Sequence, residues 1–137
     1  NPRAPMSFAD ARTGPPNVEI KVDVGARRVQ EKMYEVVLAI RANATSTAGP
    51  LFIAECEYAG LFTVGEAEQP AIEAMLLVHA PALLFPYARA VISDCVRDGG
   101  FAPLLVQPID FLQLFHQRRA RAGTPPATNG SGETTTT

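Results

Sequence analysis

Tryptophan is absent from this 137-residue chain, cysteine and histidine occur only twice each, and just 19% of the residues are charged. So few histidines and cysteines leave little for catalysis. His79 ends an apolar helical run and His116 follows Phe115, and neither is spaced to activate a nucleophile. The Gly-rich signatures of nucleotide sites and the G-x-S-x-G of hydrolases are missing. No Cys, His, Asp and Glu cluster has metal-ligand spacing either. The chain therefore reads as a non-enzyme without cofactor or metal. A Cys95–His79 dyad is the one arrangement a small hydrolase could use, and no motif asks for it.

A net charge of −2 supplies no basic face for nucleic acid. The longest apolar stretches, Met75–Val78 and Ala82–Phe85, are broken by His79 and Pro81, so direct membrane insertion is not expected. Cys56 and Cys95 lie in apolar-patterned segments. They could form one disulfide, but they read better as reduced, buried thiols of a cytoplasmic protein.

What is present is a chain with 47% hydrophobic residues, enough for one domain with a modest core. It begins at Asn1 rather than Met and reads as a fragment whose natural start lies upstream. Residues 1–16 carry Pro2, Pro5, Pro15 and Pro16, which fix φ and remove ladder donors, so this is an extended connector with Met6 and Phe8 as isolated apolar side chains. Residues 123–137 are rich in Thr, Gly and Pro and read as a disordered tail. The folded unit is expected over 17–122.

Val18 to Val24 alternates apolar and charged residues, the mark of a half-buried strand. Tyr34 to Thr45 repeats the pattern, with Tyr34, Val36, Leu38, Ile40 and Ala42 on one face. Turn residues follow at 46–50, then a third strand from Leu51 to Tyr58. Ala59-Gly60 interrupts it, and Leu61–Val64 extends it past a bulge. Short links imply antiparallel neighbours. After Gly65 the period changes. A short helix is predicted over 71–79 behind Pro70, then, past Pro81 and Pro86, a second helical stretch that ends at Gly99-Gly100. Asp110 caps a last helix that carries Phe111, Leu114 and Phe115, with Arg118, Arg119 and Arg121 near its end. The fold class is α+β, strands first and helices after.

Two features remain. The outward strand faces set Glu19, Asp23, Glu35, Glu55 and Glu57 against Lys21 and Arg41, which reads either as a solvated sheet face or as an acidic docking plate. The run from Phe101 to Phe115 holds more apolar side chains than so small a core absorbs, which points to an oligomer interface or an exposed groove.

The segment LFPYAR at 84–89 resembles the SecB family of bacterial export chaperones. Tyr34–Leu38, Ala59–Phe62 and Gly100–Phe111 match it in order and spacing, Asn1–Pro5 resembles the start of its crossover loop, and the likeness covers about 1–122. The resemblance implies a four-stranded antiparallel sheet, the first strand lying before Asn1, with a long central helix and a C-terminal helix on one face. It implies a holdase for unfolded preproteins in the bacterial cytoplasm, assembled as a dimer of dimers and working without nucleotide hydrolysis. Carried over by position, the client groove comprises Met6, Phe8, Val18, Ile20, Val22, Phe111, Leu114 and Phe115. The face for the SecA motor ATPase comprises Glu19, Asp23, Ile53, Glu55 and Glu57. The interface between dimers comprises Leu84, Tyr87, Ala88, Val91, Ile92 and Cys95. A SecB-like chaperone dedicated to a toxin–antitoxin partner is the alternative reading.

Overall fold

The computed structural model describes residues 16–123, so Met6, Phe8 and the Thr-rich tail lie outside the described residues. Three strands, β1 (Asn17–Gln30), β2 (Met33–Ser46) and β3 (Gly49–Thr63), form an antiparallel sheet in the order β1-β2-β3. The fourth strand implied by the family resemblance is not among the described residues. Register follows the alternation: Val24, Leu38 and Tyr58 lie side by side, as do Val22, Ile40 and Cys56. All of these face one side of the pleat, which places Val36, Leu38, Ile40 and Ala42 of β2 at the centre of the core.

β1 runs six residues beyond the expected strand end at Val24. Gly25 to Gln30 has no alternation and is exposed throughout, so periodicity carries no signal there. Those residues are strand because β2 continues past them and supplies the ladder, with Ala26 opposite Val36 and Arg28 opposite Tyr34. The turn to β2 places Lys32 at φ 63°, an unusual conformation for a residue with a side chain.

The expected bulge at Ala59-Gly60 is not there. β3 pairs through both residues in register, and the one irregularity in its ladder with β2 falls between Ala44 and Thr45, near Pro50. Gly60 serves close approach instead: a Cβ on it would stand 3.0 Å from Leu84 Cδ2 and 3.1 Å from the Phe62 ring.

The two helical stretches expected on either side of Pro81 are one helix, α1 (Gln69–Asp98), 30 residues long. It passes Pro81 through a widened π turn at Met75–His79. That widening accommodates the ring, which in a regular helix would clash with the carbonyl four residues back. Leu84, Phe85, Ala88, Ile92 and Val96 then seat on the sheet and hold the helix across Pro86 as well. By length and apolarity α1 is long enough to cross a membrane, contrary to the broken run read from the sequence. One stripe of it, Leu84, Phe85, Ala88 and Ile92, is nevertheless part of the core.

α1 stops where the glycine pair predicts. Gly100 has φ 97°, its N–H donates to the Arg97 carbonyl at 3.0 Å, and the Phe101 N–H donates to Val96 at 3.2 Å. This is the Schellman arrangement. Phe101 then packs against Phe52 with ring centroids 4.9 Å apart. The last helix, α2 (Phe111–Gly123), begins as expected, with the Gln113 N–H donating to Asp110 Oδ1 at 3.1 Å.

Candidate functional site

The alternation of β1 sends Val18, Ile20, Val22 and Val24 to the helix side of an edge strand, where less of the core covers them. The first three are only half buried. Two depressions lie along this row. One, of about 490 Å³, is bounded by Val18, Ile20 and Val22 on one side and by Leu104, Leu105 and Ile109 on the other. The second, of about 540 Å³, lies between Val24, Leu77 of α1 and Leu114, Phe115, Arg118 and Arg119 of α2. Val18 to Val24 spans roughly 20 Å at strand rise, the length of a short extended peptide. The row borders both hollows, Val18, Ile20 and Val22 at the first and Val24 at the second.

Of the residues assigned to the groove, Val18, Ile20 and Val22 line the first hollow and Leu114 and Phe115 the second. Phe111 differs in being buried. It meets Phe85 edge-on with centroids 6.0 Å apart and anchors the root of α2. Met6 and Phe8 lie outside the described residues. The sequence reading left out Leu104, Leu105 and Ile109, although Leu105, 75% exposed, is the most open large apolar side chain here. Its signal was the apolar surplus after Gly100, which names a stretch without saying which members face outward. Val24 and Leu77 were missed too, and Val24 ends an alternation that was already visible.

Arginines frame the second hollow. Arg119 pairs with Glu73 of α1 at 2.8 Å and lies 5.5 Å over the Phe115 ring. Arg118 crosses to β1, donating to the Val24 carbonyl at 3.1 Å and to the Val22 carbonyl at 3.3 Å, and pairs with the Asp23 carboxylate.

On the opposite face the cross-strand rows read Glu19–Asn43–Ile53, Lys21–Arg41–Glu55 and Asp23–Ala39–Glu57. Arg41 pairs with Glu55 at 3.4 Å. The small side chain of Ala39 leaves a shallow hollow of about 480 Å³ flanked by Asp23, Glu55 and Glu57. Glu19, Ile53, Glu55 and Glu57 are exposed there, whereas the carboxylate of Asp23 turns to the strand edge and accepts from the Val24 N–H at 3.1 Å.

Six residues were assigned to an oligomer interface, and they divide between two sides of α1. Leu84, Ala88 and Ile92 belong to the chain's own core, Ala88 fully buried and Ile92 1% exposed. Tyr87, Val91 and Cys95 face outward, joined by Leu83, which the sequence reading omitted. The ring of Tyr87 stacks on Tyr58 at 6.0 Å with 11° between planes, yet the residue stays 62% exposed. The expectation that both cysteines are buried is not met: Cys56 is half buried and Cys95 is exposed. Cys95 and His79 stand sixteen residues apart on one helix, roughly 24 Å by helical rise, so they form no dyad.

A helix-backed sheet with apolar hollows along one strand edge offers the kind of surface on which an extended polypeptide lies. Comparison with known proteins narrows the class to protein export. A family model described as preprotein translocase subunit SecB matches residues 1–122. The chain is 42% identical over 122 residues to the protein-export protein SecB of Parvibaculum lavamentivorans, covering 89% of this chain and 72% of that protein. It is 46% identical over 128 residues to the protein-export protein SecB of Granulibacter bethesdensis, covering 88% of this chain and 74% of that one. Among solved structures, its fold is similar to the SecB-like chaperone of Mycobacterium tuberculosis in complex with a ChAD peptide from an antitoxin. The TM-score is 0.61 at 15% identity, over 74% of this chain and 75% of that one, a likeness of fold. The chain belongs to the SecB family.

Proposed function

We propose that this protein is a holdase that binds unfolded, export-bound preproteins along the β1–α2 track and delivers them to the SecA motor, without hydrolysing nucleotide itself. The observation that carries the reading is the pair of apolar hollows along β1, one bordered by the half-buried Val18, Ile20 and Val22 and the other by Val24. Such a track suits many sequences. Burial at about 25 cal/mol per Å² of apolar surface rewards any greasy segment, whatever its side-chain order.

Family membership supports the export role, and a fold shared with a chaperone solved holding a peptide supports the groove. The outer sheet face, with Glu19, Ile53, Glu55 and Glu57, is the motor-docking surface, and Asp23 sits at its rim. The outward stripe Leu83, Tyr87 and Val91 of α1, with Cys95 beside it, is the contact between dimers in a homotetramer. Such a protein works in the bacterial cytoplasm. Service to a single toxin–antitoxin partner is the second reading, favoured only by the antitoxin peptide on the structural neighbour.

The test is suppression of aggregation of a slowly folding, signal-bearing precursor, followed by light scattering without ATP. Stoichiometric protein is expected to abolish scattering, and Phe115→Asp to weaken the effect severalfold while the fold persists. Absence of any suppression would refute the holdase reading. Suppression restricted to one peptide in a panel of unfolded substrates would favour the dedicated chaperone.

A further inference from the structure

Arg118 does more than dock α2. The carbonyls of Val22 and Val24 to which it donates are two residues apart on one strand and so point the same way, and β1 has a neighbour only on its β2 side among the described residues. They are therefore acceptors on the free edge. The Val24 N–H lies on that same edge, and Asp23 Oδ1 takes it at 3.1 Å. Asp23 in turn pairs with Arg118. Around Val24 the donor and the nearby acceptors of the edge are all capped by this one pair of side chains. An uncapped edge would offer the same groups to any extended chain.

We propose that Arg118 and Asp23 form a displaceable plug that controls how far an extended polypeptide can pair along β1. With the plug seated, a client strand lying beside the first hollow finds free edge groups at Val18 and Ile20 but not at the Val22 and Val24 carbonyls. It extends past Val24, and with it to the second hollow at Leu114 and Phe115, when its own N–H groups replace Arg118 on the two carbonyls. The occupant is an unfolded segment with extended backbone, and the inference rests on the holdase reading above. Asp23 is 75% exposed and Arg118 36%, so water competes with the pair and the plug holds weakly. It behaves as a gate that biases a population, lowering apparent affinity by the fraction of molecules in which it is open. Arg119 on Glu73 ties the same turn of α2 to α1, so the plug can release without freeing the whole helix.

Stopped-flow binding of a fluorescently labelled, permanently unfolded preprotein tests this. Arg118→Ala is expected to bind about three- to ten-fold more tightly than the parent chain, with the fold retained by circular dichroism. Hydrogen exchange in the complex is expected to show the Val24 amide newly protected by the client. Asp23→Asn, which leaves the Arg118 stem in place, carries the test if Arg118→Ala fails to fold, with a smaller gain of about two-fold. Equal or weaker client binding by a folded variant, while the parent chain binds normally, overturns the plug and leaves the holdase reading standing. No binding by the parent chain overturns both.

Discussion

Leu83 and Leu84 are neighbours in sequence, and α1 sends them to opposite sides: Leu84 is buried over Gly60, while Leu83 is 64% exposed. One is core and the other is surface, in the stripe proposed above as the contact between dimers. Leu84→Ala is therefore expected to lower unfolding free energy by about 2–5 kcal/mol, the usual cost of a cavity in a packed interior. Leu83→Asp is expected to leave single-chain stability nearly unchanged and, if the proposed tetramer forms through this stripe, to halve the solution mass. Denaturant titration and sedimentation together check both halves, and an unchanged mass for Leu83→Asp would remove the outward stripe as the contact.

The outer sheet face makes a second expectation. Glu55 is exposed and pairs with Arg41 at 3.4 Å, so Glu55→Lys replaces a weak attraction by a like-charge neighbour. Stability should change by no more than about 1 kcal/mol, because exposed pairs contribute little. On the proposed motor-docking role, binding to immobilised SecA falls at least ten-fold, while suppression of aggregation stays at the parental level. Undiminished motor affinity would move the docking surface elsewhere.

A third concerns the thiols. Burial pushes the Cys56 thiol above its ordinary value of 9.0, and the nearby Cys95 and Glu57 push it the same way. In single-cysteine variants Cys56 should therefore react with iodoacetamide more slowly than the exposed Cys95 at neutral pH, the lag persisting past pH 9.0. The linkage has a definite sign. The folded pKa lies above the unfolded one, so the thiol's stabilising contribution is complete below the unfolded value and is lost as pH rises through the folded value. A Cys56→Ser variant should lack that alkaline loss. Equal alkylation rates at the two positions would contradict the assignment.

The sheet was legible because its side chains alternate: Val18 to Val24 and Tyr34 to Ala42 write their buried face into the sequence. Caps and stops were legible too, at Asp110 and at Gly99-Gly100, because they depend on a few adjacent residues. The continuity of α1 was not legible. Pro81 and Pro86 carry a local penalty that only contacts from Leu84, Phe85, Ala88 and Ile92 onto the sheet can offset. Gly60 was misread for the same reason, since its meaning comes from Leu84, a residue on another element.

In the candidate groove, the apolar members on β1 and α2 could be named from patterning and resemblance. The arginines that close it could not. Arg118 looks like an ordinary basic residue near a helix end, and its partners Val22, Asp23 and Val24 lie more than ninety residues earlier.

Taken alone, the order of residues determined the alternating parts of the strands and their buried faces, the stop of α1 and the cap of α2, the α+β class and, through its motifs, the family. Those depend on spacings of two to four residues along the chain. Tertiary structure alone decided that α1 is a single helix, that Leu83 rather than Leu84 faces outward, and that Asp23 and Arg118 meet on a strand edge. These depend on which distant surfaces come together, and a local pattern carries no record of its eventual neighbour.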